Sequence, residues 1–130
     1  MPTVLESAAP IAFLPSEDLD RSRRFFGDLL GLPVEEVSAF ACVLRAGPTM
    51  LRVTRVDGLR PQPFTVFGWQ VPDLAATVAE LTRAGVRMLH YEGLGQDADG
   101  VWATPDGALV AWFRDPDGNT LSLTQFAARG

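Results

Sequence analysis

Apolar and polar positions along the chain alternate in a way that spells one module twice. Residues 10–14 read as a short strand, and Asp18-Leu19 then opens a helical pattern in which Leu19, Ser22, Phe25, Phe26, Leu29 and Leu30 recur at three- and four-residue steps. Asp18 suits the N-cap and Gly31 the left-handed position that ends a helix. Strands are predicted at 34–38, 40–46 and 49–56, the last two joined by a tight Gly47-Pro48 turn. The stretch 57–63, with Gly58, Pro61 and Pro63, breaks both periodicities and reads as a linker.

A second round follows. Residues 64–71 form a strand rich in aromatic and β-branched residues, Asp73-Leu74 opens a helix with Leu74, Val78 and Leu81 on one face, and Gly85 ends it. Residues 86–91 read as another strand, 92–100 as a polar, glycine-rich loop, and two final strands flank the turn Asp115-Pro116-Asp117-Gly118. The two Asp-Leu pairs stand 55 residues apart, from position 18 to position 73 of 130, so two copies leave little chain over. The expected class is α+β: one domain over 1–130, with module one at about 8–56 and module two at about 64–126, each offering one helix to one face of a mostly antiparallel sheet. The other face of each sheet needs a partner or a ligand.

Composition narrows the functional classes. The net charge is -5 and all 11 basic residues are arginines scattered along the chain, which leaves no electrostatic footprint for nucleic acid. One cysteine, Cys42, excludes an intramolecular disulfide, and one histidine, His90, excludes a zinc site built from several His or Cys of one chain. No apolar stretch approaches the ~20 residues that span a bilayer, and no basic segment precedes an apolar run, so no membrane partner and a cytoplasmic location are expected. The absence of Lys beside many Ala, Arg and Gly fits a GC-rich genome of the actinobacterial kind.

The order strand-helix-three strands used twice, Asp-Leu at each helix start, Phe25-Phe26 and Leu29-Leu30-Gly31-Leu32 in the first helix, and Arg114-Asp115-Pro116-Asp117-Gly118-Asn119 before the last strand resemble the vicinal oxygen chelate superfamily. That group includes glyoxalase I, fosfomycin-resistance enzymes, extradiol dioxygenases and bleomycin-resistance proteins. The resemblance runs from about Pro10 to Gln125 and implies two tandem βαβββ modules with curved sheets, helices on the convex side and a concave cup. In metal-using members four inward-facing side chains, usually His, Gln or Glu, hold one divalent ion. Carried over by spacing, those positions here are Ile11, Arg52, Val66 and Ser122. Ile and Val have no donor atom, Arg is a fixed cation, and a lone Ser hydroxyl is a weak ligand, so no metal and no cofactor are expected.

Extending the strand alternation from these positions turns Phe13, Met50, Thr54, Phe64, Thr120 and Thr124 toward the same concave side. The resemblance to fosfomycin-type members also places Trp112 and Trp102 where those relatives reach their ligand. Two Trp residues at the mouth of a cup can sandwich a flat ligand, or both can belong to the core. Trp69, by its parity with Phe67 and Val71, points at the helices. Arg52 either holds a ligand carboxylate or phosphate or pairs with an acidic neighbour. His90 either performs acid-base chemistry or is a hydrogen-bonded structural residue. The 92–100 loop is a mobile lid or a solvated connection, and its Asp97-Ala98-Asp99-Gly100 has too few ligands for a calcium loop.

The expected ligand-binding set is Trp112, Trp102, Arg52, Phe13, Met50, Phe64, Val66, Ser122 and His90, with no catalytic residue assigned. The resemblance implies a homodimer, with modules that can pair across subunits, sequestering an aromatic small molecule such as an antibiotic. The alternative is a metal-independent isomerase, cyclase or lyase of the same fold that uses His90, Arg52 or a loop carboxylate to move a proton.

Overall fold

Both helices begin in the same way. In the computed structural model, which describes residues 2–128, Asp18 and Asp73 hold extended backbone at φ -144°, ψ 98° and φ -141°, ψ 95°. Their carboxylates accept from the amides of Arg21 and Ala76, two donors that the first helical turn leaves without an intrahelical acceptor. Helix α1 (Leu19–Arg23) widens into a π-type turn (Arg24–Leu29), in which the Leu30 amide donates to the Phe25 carbonyl at 2.9 Å. Gly31, at φ 80°, then turns the chain out of the helix. Helix α2 (Leu74–Arg83) is regular throughout.

The strands form two four-stranded sheets. Strands β1 (Ile11–Ser16), β2 (Val34–Val37), β3 (Ala41–Ala46) and β4 (Thr49–Arg55) lie in the order β1-β4-β3-β2. Strands β5 (Thr65–Gln70), β6 (Trp102–Ala103), β7 (Leu109–Arg114) and β8 (Thr120–Gln125) lie in the order β5-β8-β7-β6. In each sheet the first and last strands of the module pair parallel and all other neighbours antiparallel. The α+β class and the duplicated module are therefore both present, with mixed sheets. The chain divides into two compact units between Leu59 and Arg60, inside the proline-rich stretch.

In the first unit, Leu14, Leu44, Leu51 and Val53 share a buried core with Phe26 of the helical segment, each at most 1% exposed. Such side chains contribute roughly 1.5–3 kcal/mol apiece when fully buried. The buried hydroxyls of Ser16 and Ser22 satisfy one another at 2.7 Å, which explains a serine on the apolar stripe of α1. In the second unit Leu74 and Val78 of α2 are buried together with Ala111 and Phe113 of β7 and Leu121 and Leu123 of β8.

One expected element is absent. Residues 86–91 do not form a strand: Met88 makes an isolated bridge to Phe113, and the fourth strand of the second sheet is the short β6 instead. The reason lies in Gln96, whose side-chain oxygen accepts from the Tyr91 amide at 2.6 Å while its nitrogen donates to the Leu89 carbonyl at 2.8 Å. Backbone groups that would continue a ladder are thus satisfied by a side chain. No described helix is long and apolar enough to cross a membrane.

Candidate functional site

Each sheet buries one face under its own helix and leaves the other open. In the first unit the register pairs Ile11 with Met50 and Phe13 with Arg52, all on the side opposite Leu14, Leu51 and Val53. Ile11 is 48% and Phe13 60% exposed, so this face presents apolar surface to its surroundings. Arg52 is half-buried among them and makes no ion pair among the described residues.

The open face of the second unit carries the aromatic residues. Trp102 pairs with Val110 across β6 and β7, and Trp112 pairs with Ser122 across β7 and β8, which puts Trp102, Trp112 and Ser122 on one side. Their neighbours Ala111 and Phe113 point the other way into the core. Trp69 also points that way, stacked on Phe113 at a centroid distance of 6.2 Å and an interplanar angle of 12°.

Trp102 and Trp112 stack on each other, with ring centroids 6.1 Å apart and planes 27° from parallel. A flat ring between them would need two contact spacings, roughly 7–8 Å. The pair as it stands leaves no room for a ring between its planes and forms one continuous aromatic wall. Tyr91 meets Trp112 edge-on at 5.4 Å and 86° and fixes the orientation of the indole.

The 92–100 loop braces this wall. Besides its two bonds to Leu89 and Tyr91, Gln96 donates to the Gly100 carbonyl at 2.7 Å, so one side chain joins both ends of the loop. Asp97 accepts from the amides of Asp99 and Val101, each at 2.9 Å, which commits one of its carboxylate oxygens to the loop itself. Nothing in the spacing of the loop marks Gln96. It is, however, the only side chain there that has both a donor and an acceptor.

Val66 sits in a bulge of β5, where the pairing to β8 slips between Thr65 and Phe67, and it is 40% exposed. Phe64 precedes the strand and is exposed. His90 is exposed at the start of the loop, and a methyl group built on Gly100 would stand 3.6 Å from its Cε1. Phe13, Met50 and Arg52 thus share the open face of the first unit, Trp102, Trp112 and Ser122 that of the second, while Phe64 and His90 lie outside the strands.

The four residues that the resemblance carries onto metal positions are poor donors for a divalent ion. Ile11 and Val66 present hydrocarbon, Arg52 a cation and Ser122 a single hydroxyl, and among the described residues no group of three or more His, Cys, Asp or Glu is placed to hold a metal. Two buried titratable groups are perturbed for structural reasons. Burial pushes the Cys42 thiol up, against a smaller opposing effect of Arg23, as suits an inert core residue. Burial likewise raises the Asp115 carboxyl, opposed by hydrogen bonds from the Asn119 side chain and from the Asn119 and Asp117 amides.

Comparison with known proteins agrees with this architecture. The family model of the Glyoxalase/Bleomycin resistance protein/Dioxygenase superfamily matches residues 8–123. The crystal structure of a bleomycin-binding protein complexed with bleomycin superposes with a TM-score of 0.73 at 25% identity, covering 93% of this chain and 100% of that one. A bleomycin resistance determinant encoded on the transposon Tn5 gives 0.70 at 26% identity over 94% and 100%. A lactoylglutathione lyase from Agrobacterium tumefaciens shares the fold, with a TM-score of 0.65 at 21% identity over 92% and 93%. A search of curated proteins finds no match.

Proposed function

We propose, because this chain belongs to the Glyoxalase/Bleomycin resistance protein/Dioxygenase superfamily, that it binds a largely aromatic natural product without a metal and keeps it from its target. The observation that carries this reading is the wall of Trp102 and Trp112, braced by Tyr91, on an open sheet face. Aromatic faces offer large contact area with few rotatable bonds, and sequestration needs affinity without turnover. The donor-poor set Ile11, Arg52, Val66 and Ser122 supports the metal-free part, since a Lewis acid has nothing to hold it. Two relatives that bind or confer resistance to bleomycin support the resistance part.

In this reading the ligand rests on Trp112 and Trp102 beside Ser122, with Phe64, Val66 and His90 at the margins of that unit, while Phe13, Met50 and Arg52 form the corresponding open face of the first unit. The working form is a cytoplasmic homodimer. Exposed Ile11, at the edge of the first sheet's open face, is apolar surface that a second copy would cover, with modules pairing across subunits.

Titrating flat aromatic antibiotics against the Trp fluorescence tests the binding. Saturable quenching by at least one class, with the ligand recovered unchanged, is expected. No quenching across a broad panel would remove the reading, and chemical change of the ligand would favour the enzymatic alternative. Sedimentation equilibrium should give twice the mass of the chain, and a monomer would reject the dimer.

A further inference from the structure

We propose that Arg114 and the proline-rich segment 61–63 form an anion pocket at the end of the second unit's open face, selecting flat aromatic ligands that carry a carboxylate, sulfonate or phosphate. The inference rests on the aromatic wall proposed above and adds a charge requirement to its ligand.

Arg114 follows Trp112 by two residues on β7, so both side chains leave the same face, about 6.8 Å apart along the strand. The pairing agrees: Trp112 lies opposite Ser122 and Arg114 opposite Thr120. The segment before β5 crosses this end of the face. The Thr120 hydroxyl donates to the Gln62 carbonyl at 3.5 Å, and a methyl group on Gly118 would stand 3.0 Å from Cγ of Pro61. Pro61, Gln62, Pro63, Arg114 and Gly118 together line a cavity of about 230 Å³. Arg114 is the only charged residue on that lining.

Among the described residues Arg114 forms no ion pair. The acid that follows it is turned away: Asp115 is 5% exposed, and its carboxylate accepts from the Asp117 and Asn119 amides and from the Asn119 side chain. An exposed guanidinium without a carboxylate partner keeps its planar fork of donors free for a bidentate contact. A neutral ring on Trp112 leaves that fork to water; an acidic substituent reaching along β7 engages it.

The experiment compares 2-naphthoate with the neutral 2-naphthylmethanol by Trp quenching, and adds inorganic phosphate followed through the Arg114 Nε–H resonance. Naphthoate should bind about tenfold more tightly than the alcohol, as one charge-assisted contact predicts. That difference should vanish in Arg114→Gln and persist in part in Arg114→Lys, and phosphate should shift the Arg114 signal. Equal affinity for the two naphthalenes, or a preference retained in Arg114→Gln, overturns the anion pocket and leaves the aromatic wall standing. If neither naphthalene binds, the wall itself fails. The phosphate titration then decides Arg114 alone, and an unmoved resonance overturns the pocket.

Discussion

Gly68 on β5 faces Ser122 on β8 so closely that a methyl group on Gly68 would stand 2.9 Å from the Ser122 carbonyl oxygen. A Ser hydroxyl in the way can rotate, but a strand carbonyl moves only with its strand. Gly68→Ala should therefore destabilise the fold by about 1–3 kcal/mol, the usual cost of overpacking. Adding Ser122→Ala should not restore the loss. Urea denaturation of the single and double variants measures both, and full recovery in the double variant would assign the close approach to the hydroxyl.

Gln96 ties Leu89, Tyr91 and Gly100 together through three hydrogen bonds. Replacing it by Ala should cost about 1–3 kcal/mol, given net values near 1 kcal/mol per bond. Since Tyr91 braces Trp112, the near-ultraviolet circular dichroism should weaken as well. Gln96→Glu keeps the acceptor for Tyr91 but turns a carboxylate oxygen toward two carbonyls, and should be no better than Ala. A Glu variant as stable as the parent would contradict the arrangement.

Trp112 is the shared member of both ring contacts on the open face, with Trp102 and with Tyr91. Removing it in Trp112→Ala should weaken binding of a flat aromatic probe by about thirtyfold or more, the range of an interface hot spot. Trp102 emission should also change as the stacked neighbour is lost. Calorimetric titration provides the affinity, and an unchanged dissociation constant would place the ligand elsewhere.

Asp115 has a pH signature of definite sign. Burial holds its carboxyl above the ordinary carboxylate value, so the folded chain takes up this proton more readily than the unfolded chain. The stabilisation linked to that proton is complete below the unfolded pKa and is lost as pH rises through the raised folded value. The unfolding free energy of the parent minus that of Asp115→Asn should accordingly fall with rising pH across that window. Chemical denaturation at a series of pH values measures the difference, and a flat result would mean that burial does not govern this carboxyl.

Local rules made much of the fold readable. Asp18 and Asp73 cap their helices through neighbours three residues on, and the side taken by Trp69 follows from strand parity alone. What escaped depended on residues meeting across a loop. Residues 86–91 have the apolar run of a strand, yet Gln96 takes up the Leu89 and Tyr91 backbone groups that a ladder would have used. The Trp102–Trp112 stack was hidden for a related reason. Strand β6 has only two residues, and its register on β7 follows from how the preceding loop closes. The bulge at Val66 carries no glycine or proline of its own to announce it.

The parallel pairing of β1 with β4, in step from Ile11 with Met50 to Ser16 with Arg55, returns the chain to the side of its own starting strand. Strands β5 and β8 repeat this. A segment that finishes beside its own beginning can be copied in tandem with only a short connector and no rerouting. Each copy then inherits a complete scaffold, so substitutions on its open face leave the folding instructions on the other face intact.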